Sequence, residues 1–170
     1  KIMVANYGIK TYEDSSKEAY DDAFKIDEDD IESVIDSEED PSPYNASSLI
    51  ILYEPGDGKR LLFAGDANTT SLQMMLNKYK WLRNVDFLKV PHHGSRRNLN
   101  TSIIEALSPK KCYISAAGNK KHPSGRLVYW LAKYGNVYST HICNSYMHCQ
   151  SGAMPNRNGT INLMPLKEKK

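Results

Sequence analysis

Apolar and polar residues change their spacing several times along the chain, and each change marks an element. Residues 47–55, SSLIILYEP, hold a continuous apolar run and predict a buried strand. Gly56-Asp57-Gly58-Lys59 follows as a hairpin turn signal. Residues 60–67, RLLFAGDA, predict a second strand that ends at Gly65-Asp66. From 71 to 82, SLQMMLNKYKWL, the apolar positions recur at helical spacing, and Thr70-Ser71 can cap that helix. A third strand is predicted over 85–91, a short helix stopped by Pro109 over 101–107, and a fourth strand over 111–118. A helix over 124–134 with Gly135 at its C-terminal end comes next, then strands over 136–142 and 159–165.

The order strand, strand, helix, strand, helix, strand, helix, strand predicts an α/β layered fold. Upstream of it the texture differs. Residues 1–10 read as a strand and turn. Residues 11–43 are acidic, poor in large apolar side chains and end in two prolines, so 1–43 reads as an acidic segment, partly a flexible loop or linker, and 44–170 as the folded domain. Ala23, Phe24, Ile26, Ile31, Val34 and Ile35 are the residues there that can anchor short helical pieces.

Chemistry-bearing residues gather just past the predicted strand ends. Asp66 follows a glycine that leaves space before its carboxylate; the plainer reading is a cap for the next helix. His92 and His93 end the third strand in VPHHGSRR. Neighbouring side chains diverge on an extended backbone, so both imidazoles reach one site only if the chain turns, which Gly94 permits. His122 sits in the loop GNKKHPSG, where an exposed histidine is the ordinary outcome. Together these oxygen and nitrogen donors suit zinc, manganese or iron, and such a metal activates water for hydrolysis. Ser95, Arg96, Arg97, Lys89, Lys120 and Lys121 lie beside them and suit phosphate contacts. His141 and His148 have no such setting.

Charge sharpens this picture. The net charge of +2 conceals 14 acidic and 4 basic side chains in residues 1–48, against 6 and 18 in the rest. The basic body favours a polyanionic partner, nucleic acid first. No apolar run approaches the ~18 residues of a membrane span, and no signal-peptide pattern is present. Three cysteines (Cys112, Cys143, Cys149) without a CxxC spacing indicate neither a disulfide framework nor a zinc knuckle, and a cytoplasmic setting is expected.

The segments NASSLIILYEPGDGKRLLFAGDA, VDFLKVPHHGS, LSPKKCYISAAGNKKHPSG and GNVYSTHICNS, in this order, resemble the second half of a metallo-β-lactamase-fold hydrolase, most of all the domain of bacterial DNA-uptake (competence) proteins and related stand-alone hydrolases. The resemblance covers roughly residues 44–163. It implies a four-layer αββα fold with two divalent transition metals, zinc or manganese. Asp66 matches the metal-bridging aspartate, His122 the last metal histidine, and His92 and His93 the histidine pair of this branch. In that reading Asp66, His93 and His122 are catalytic. Asn45 and the serines after it match a polar turn beside the site.

The family's first metal motif, a His-x-His/Asp-x-Asp-His cluster, has no counterpart, because no histidine precedes His92. The expectation is therefore a C-terminal fragment, completed by an N-terminal half carried on a separate chain. A degenerate domain that only binds is the alternative. Three functions follow: a phosphodiesterase acting on DNA or RNA, a small-molecule hydrolase of the same fold, and a non-enzymatic regulatory module. A homo-oligomer and a regulatory protease partner are compatible with each. The acidic segment invites a further expectation, that it occupies the basic groove as a nucleic-acid mimic. The absence of membrane segments within the chain favours a stand-alone role, such as bacterial defence against foreign DNA, over uptake.

Overall fold

A computed structural model describes residues 2–5 (as a strand), 31–116 and 122–139. The expected closing strand at 159–165, the anchors Ala23, Phe24 and Ile26, and Lys120, Lys121, His141, His148, Cys143 and Cys149 lie outside the described residues.

The architecture is α/β: a mixed sheet flanked by helices. In chain order the elements are β1 (Ile2–Ala5), α1 (Ile31–Asp36), α2 (Pro43–Ala46), β2 (Ile50–Tyr53), β3 (Leu61–Phe63), α3 (Thr69–Lys78), β4 (Phe87–Lys89), α4 (Thr101–Leu107), β5 (Lys111–Ile114), α5 (Gly125–Ala132) and β6 (Asn136–Ser139). The six strands pair in sequence order. β1, β2 and β3 are antiparallel neighbours, and β3 to β6 run parallel. Parallel neighbours need crossovers, which α3, α4 and α5 supply. Because the order advances in one direction, right-handed crossovers set all three helices on one face.

The burial pattern follows from that. Leu52, Leu62, Leu88, Cys112 and Val137 are register partners from β2 to β6, and all are buried under the helices. The alternate positions point the other way. There Ile51, Phe63, Lys89, Tyr113 and Tyr138 form one row and Tyr53, Leu61, Phe87 and Lys111 another. Phe63 and Tyr53 remain 42% and 38% exposed. Tyr113 stacks on both Phe87 and Tyr138, at 5.8 and 5.0 Å between ring centroids.

Two local readings are corrected. The cap of α3 is Asn68, whose side chain accepts the Ser71 N–H at 3.0 Å, not Thr70-Ser71 and not Asp66. The helix also stops at Lys78 instead of running to 82. Tyr79 leaves it in an extended conformation, so that Tyr79 and Trp81 pack against the core with ring centroids 5.4 Å apart. The Arg60 guanidinium holds this turn through the carbonyls of Trp81, Arg83 and Asn84. Ile31 and Ile35 do anchor a helix: α1 buries both against α4 and α5. Packed structure thus reaches back well before Pro43. No helix among the described residues is long and apolar enough to cross a membrane.

Candidate functional site

The parallel run β3–β4–β5 brings three carboxyl ends to one edge, where open α/β sheets build sites. Asp66 lies beyond β3, His92 and His93 beyond β4, and His122 beyond β5. The chain turns after β4 on three successive left-handed residues: His92 at φ 44°, His93 at φ 54° and Gly94 at φ 82°. Non-glycine residues adopt this region rarely, histidine more often than most. Surrounding bonds hold the turn. His92 N–H donates to the Gly65 carbonyl at 3.0 Å, and the Gly94 carbonyl accepts Ser124 N–H at 2.9 Å.

The outcome is a cluster of three imidazoles. Ring centroids are 5.1 Å apart for His92 and His122, 6.2 Å for His92 and His93, and 6.5 Å for His93 and His122. His122 is only 8% exposed, unlike an ordinary loop histidine. His93 is exposed, and its Nδ1 lies 2.7 Å from the Ser115 carbonyl. That carbonyl only accepts, so Nδ1 carries a proton, and in the neutral ring Nε2 holds the lone pair.

Asp66 is half-buried. Its backbone is tied on both sides: N–H to Ser48 Oγ at 3.1 Å, and carbonyl to Asn98 Nδ2 at 3.1 Å. Lys89 stands on β4 with its ammonium donating to the Val90 carbonyl. Burial lowers the Lys89 pKa, and the Asp66 carboxylate partly offsets this.

The remaining candidates separate. Asn45 donates to Asp40 Oδ2 at 2.7 Å and reaches His92 Nδ1 at 3.5 Å. Ser95 is turned inward, and its hydroxyl accepts the Arg97 N–H. Arg96 and Arg97 both direct Nε at Glu38 Oε2, at 2.8 and 3.3 Å. The end of the acidic segment therefore offsets part of the charge of the arginine pair.

Two residues missed in the sequence complete the site. Asp40 is 4% exposed, and its Oδ2 lies 3.0 Å from His92 Nδ1. Burial alone would raise its pKa. Hydrogen bonds from His92, Asn45, the Ser42 N–H and Asn98 outweigh that and hold the carboxyl well below the usual range. Asn98 is fully buried and spans Asp40, the Asp66 carbonyl and the Ala67 carbonyl. The nearest sequence signal was the closeness of Asp40 to Asn45.

The donor set fits a transition metal in kind. Two imidazoles on one tetrahedral zinc, with Zn–N near 2.0–2.1 Å, place their ring centroids about 5 Å apart. The His92–His122 pair has that spacing. Among the described residues, however, no three His, Cys, Asp or Glu side chains converge closely enough to hold an ion by themselves.

No family model matches the chain. A curated relative does. The chain is 33% identical over 97 residues to ComE operon protein 3 of Bacillus subtilis (strain 168). The match spans 56% of this chain but 12% of that protein's length. It supports the likeness to competence-type proteins and makes this chain a distant relative of one.

Proposed function

We propose that this chain supplies one half of the site of a metal-dependent phosphodiesterase acting on nucleic acid, on the second half of a four-layer αββα metallo-β-lactamase-type fold. The observation that carries the reading is the clustering of His92, His93 and His122 at the edge that also bears Asp66. The aromatic sheet face supports the half-fold. Helices cover one side, while Phe63 and Tyr53 stay exposed on the other. Exposed apolar surface of this kind is favourable to bury, and a second sheet from an N-terminal half would bury it.

Together with donors from the N-terminal half, Asp66, His92, His93 and His122 would hold two divalent transition ions, zinc or manganese. Bound there, the ions would supply an activated water and neutralise charge on the phosphate. The protein groups do the rest. Asp66 would supply negative charge beside the cations. The buried His122 and the Asn98 knot keep the edge rigid. Lys121 would draw in a phosphate backbone, joined by Arg96 and Arg97 where phosphate displaces Glu38, and the basic charge of residues 49–170 favours this. The competence-type relative favours DNA over a small-molecule substrate.

The test is metal analysis and nuclease assay on the native assembly, including any chain that co-purifies. About two transition ions per site are expected, with activity lost in Asp66→Ala and in His93→Ala. Undiminished activity in both variants would end the proposal. A metal-free, inactive assembly would make the chain a binding module.

A further inference from the structure

Asp40 poses a question that the proposed reaction does not answer. It lies in a run of acidic residues, yet it is nearly buried, and burying a carboxylate is costly unless its oxygens are satisfied. Three donors and one imidazole nitrogen converge on it. Oδ1 takes the Ser42 N–H at 2.9 Å. Oδ2 faces Asn45 Nδ2 at 2.7 Å, Asn98 Nδ2 at 3.2 Å and His92 Nδ1 at 3.0 Å. The Ser42 N–H and the amides of Asn45 and Asn98 all donate to these oxygens and help hold the carboxyl below its usual range, so the group is the anion. An anion only accepts, so His92 Nδ1 must carry a proton. Asn45 also lies near His92 Nδ1, but at 3.5 Å, and its amide points at Asp40.

We infer that Asp40 is a positioning residue for His92: it fixes the imidazole as the Nδ1–H tautomer and so makes Nε2 the ring's lone-pair donor. The inference rests on the metal reading for its purpose, but not for its content. His93 reaches the same tautomer through the Ser115 carbonyl. Two adjacent histidines on one left-handed turn thus have their donor nitrogens set by two partners from different parts of the chain. A carboxylate or carbonyl behind the far nitrogen is the usual way a metal-binding histidine is oriented and made more basic.

The substitution that separates positioning from mere packing is Asp40→Asn. The amide keeps the size of the carboxylate. With its oxygen on the Ser42 N–H, its NH2 falls where Oδ2 was, against the donors of Asn45 and Asn98. His92 relieves this by accepting at Nδ1, which moves its proton to Nε2.

The measurement is the 15N–1H long-range spectrum of the histidine rings in the metal-free protein, at a pH where the rings are neutral. In the wild type, His92 is expected with Nδ1 protonated and Nε2 bare. In Asp40→Asn it is expected as the Nε2–H tautomer, with His93 unchanged. Asn98→Ala loosens the same knot without altering the charge behind His92, and should leave the Nδ1–H tautomer in place. Wild-type His92 as the Nε2–H tautomer overturns the inference, and so does an unchanged tautomer in a folded Asp40→Asn. If that variant does not fold, the wild-type spectrum still decides. Added Zn2+ tests the other reading separately. In the assembled protein it should shift the Nε2 signals, with affinity about 10–100-fold weaker in Asp40→Asn. If zinc moves no imidazole, the metal reading fails while the tautomer assignment stands.

Discussion

Gly94 and Gly58 share one backbone conformation, φ +82°, in very different surroundings. A Cβ added at Gly58 would meet nothing within 4 Å. At Gly94 it would lie 3.0 Å from Pro123 Cβ, 3.1 Å from Ile114 Cγ2 and 3.4 Å from Pro123 Cα. Gly58→Ala therefore incurs the left-handed backbone cost alone, about 1–2 kcal/mol. Gly94→Ala incurs the same cost plus overpacking, about 1–3 kcal/mol more. Ile114 sits in the core on β5 and yields little, so the relief falls on the 122–124 loop, which is bonded to the Gly94 carbonyl through Ser124. That movement separates His122 from His92. Urea unfolding of both variants measures the difference, and the histidine ring signals report the displacement. Equal destabilisation within about 0.5 kcal/mol, with unmoved rings in Gly94→Ala, would refute the packing argument.

Burial pushes the Cys112 thiol up to about 12. At pH 8 it should resist iodoacetamide in the folded protein and react once urea unfolds it; peptide mapping at Cys112 checks this, and prompt native labelling would contradict the burial of β5. Glu38→Gln should release Arg97 for polyanions. The side chains are half-buried, so stability should fall by about 1–3 kcal/mol. The slope of log affinity for single-stranded DNA against log salt should steepen by about 1, for the one added phosphate contact. An unaltered slope would show that the pair does not compete with phosphate.

Much of the fold was legible because its causes are local. The apolar runs of β2 to β5 and the helical spacing of α3 and α5 are set by which residues adjoin which. The cap of α3 was misplaced because Asn68, Thr70 and Ser71 are all competent caps. Only the direction in which the backbone enters the helix chooses among them. That Asp66, His92, His93 and His122 come to one sheet edge was also legible. Each follows a predicted strand, and parallel strands bring their carboxyl ends to one edge.

Asp40, Asn98 and Glu38 were not legible, and the reason is distance along the chain. Asp40 meets His92 across 52 residues and Asn98 across 58, and Glu38 meets Arg97 across 59. An aspartate among acidic neighbours carries no mark of a partner so far away. The sequence by itself determined the elements, their order and the chemical kinds of the site residues, because these depend on neighbours and on side-chain identity. The tertiary structure decided which imidazole nitrogen faces a carboxylate, which arginines share a carboxylate and which carboxylate is buried. Those are set by contacts that exist only once loops from both ends of the described chain have packed onto one sheet edge.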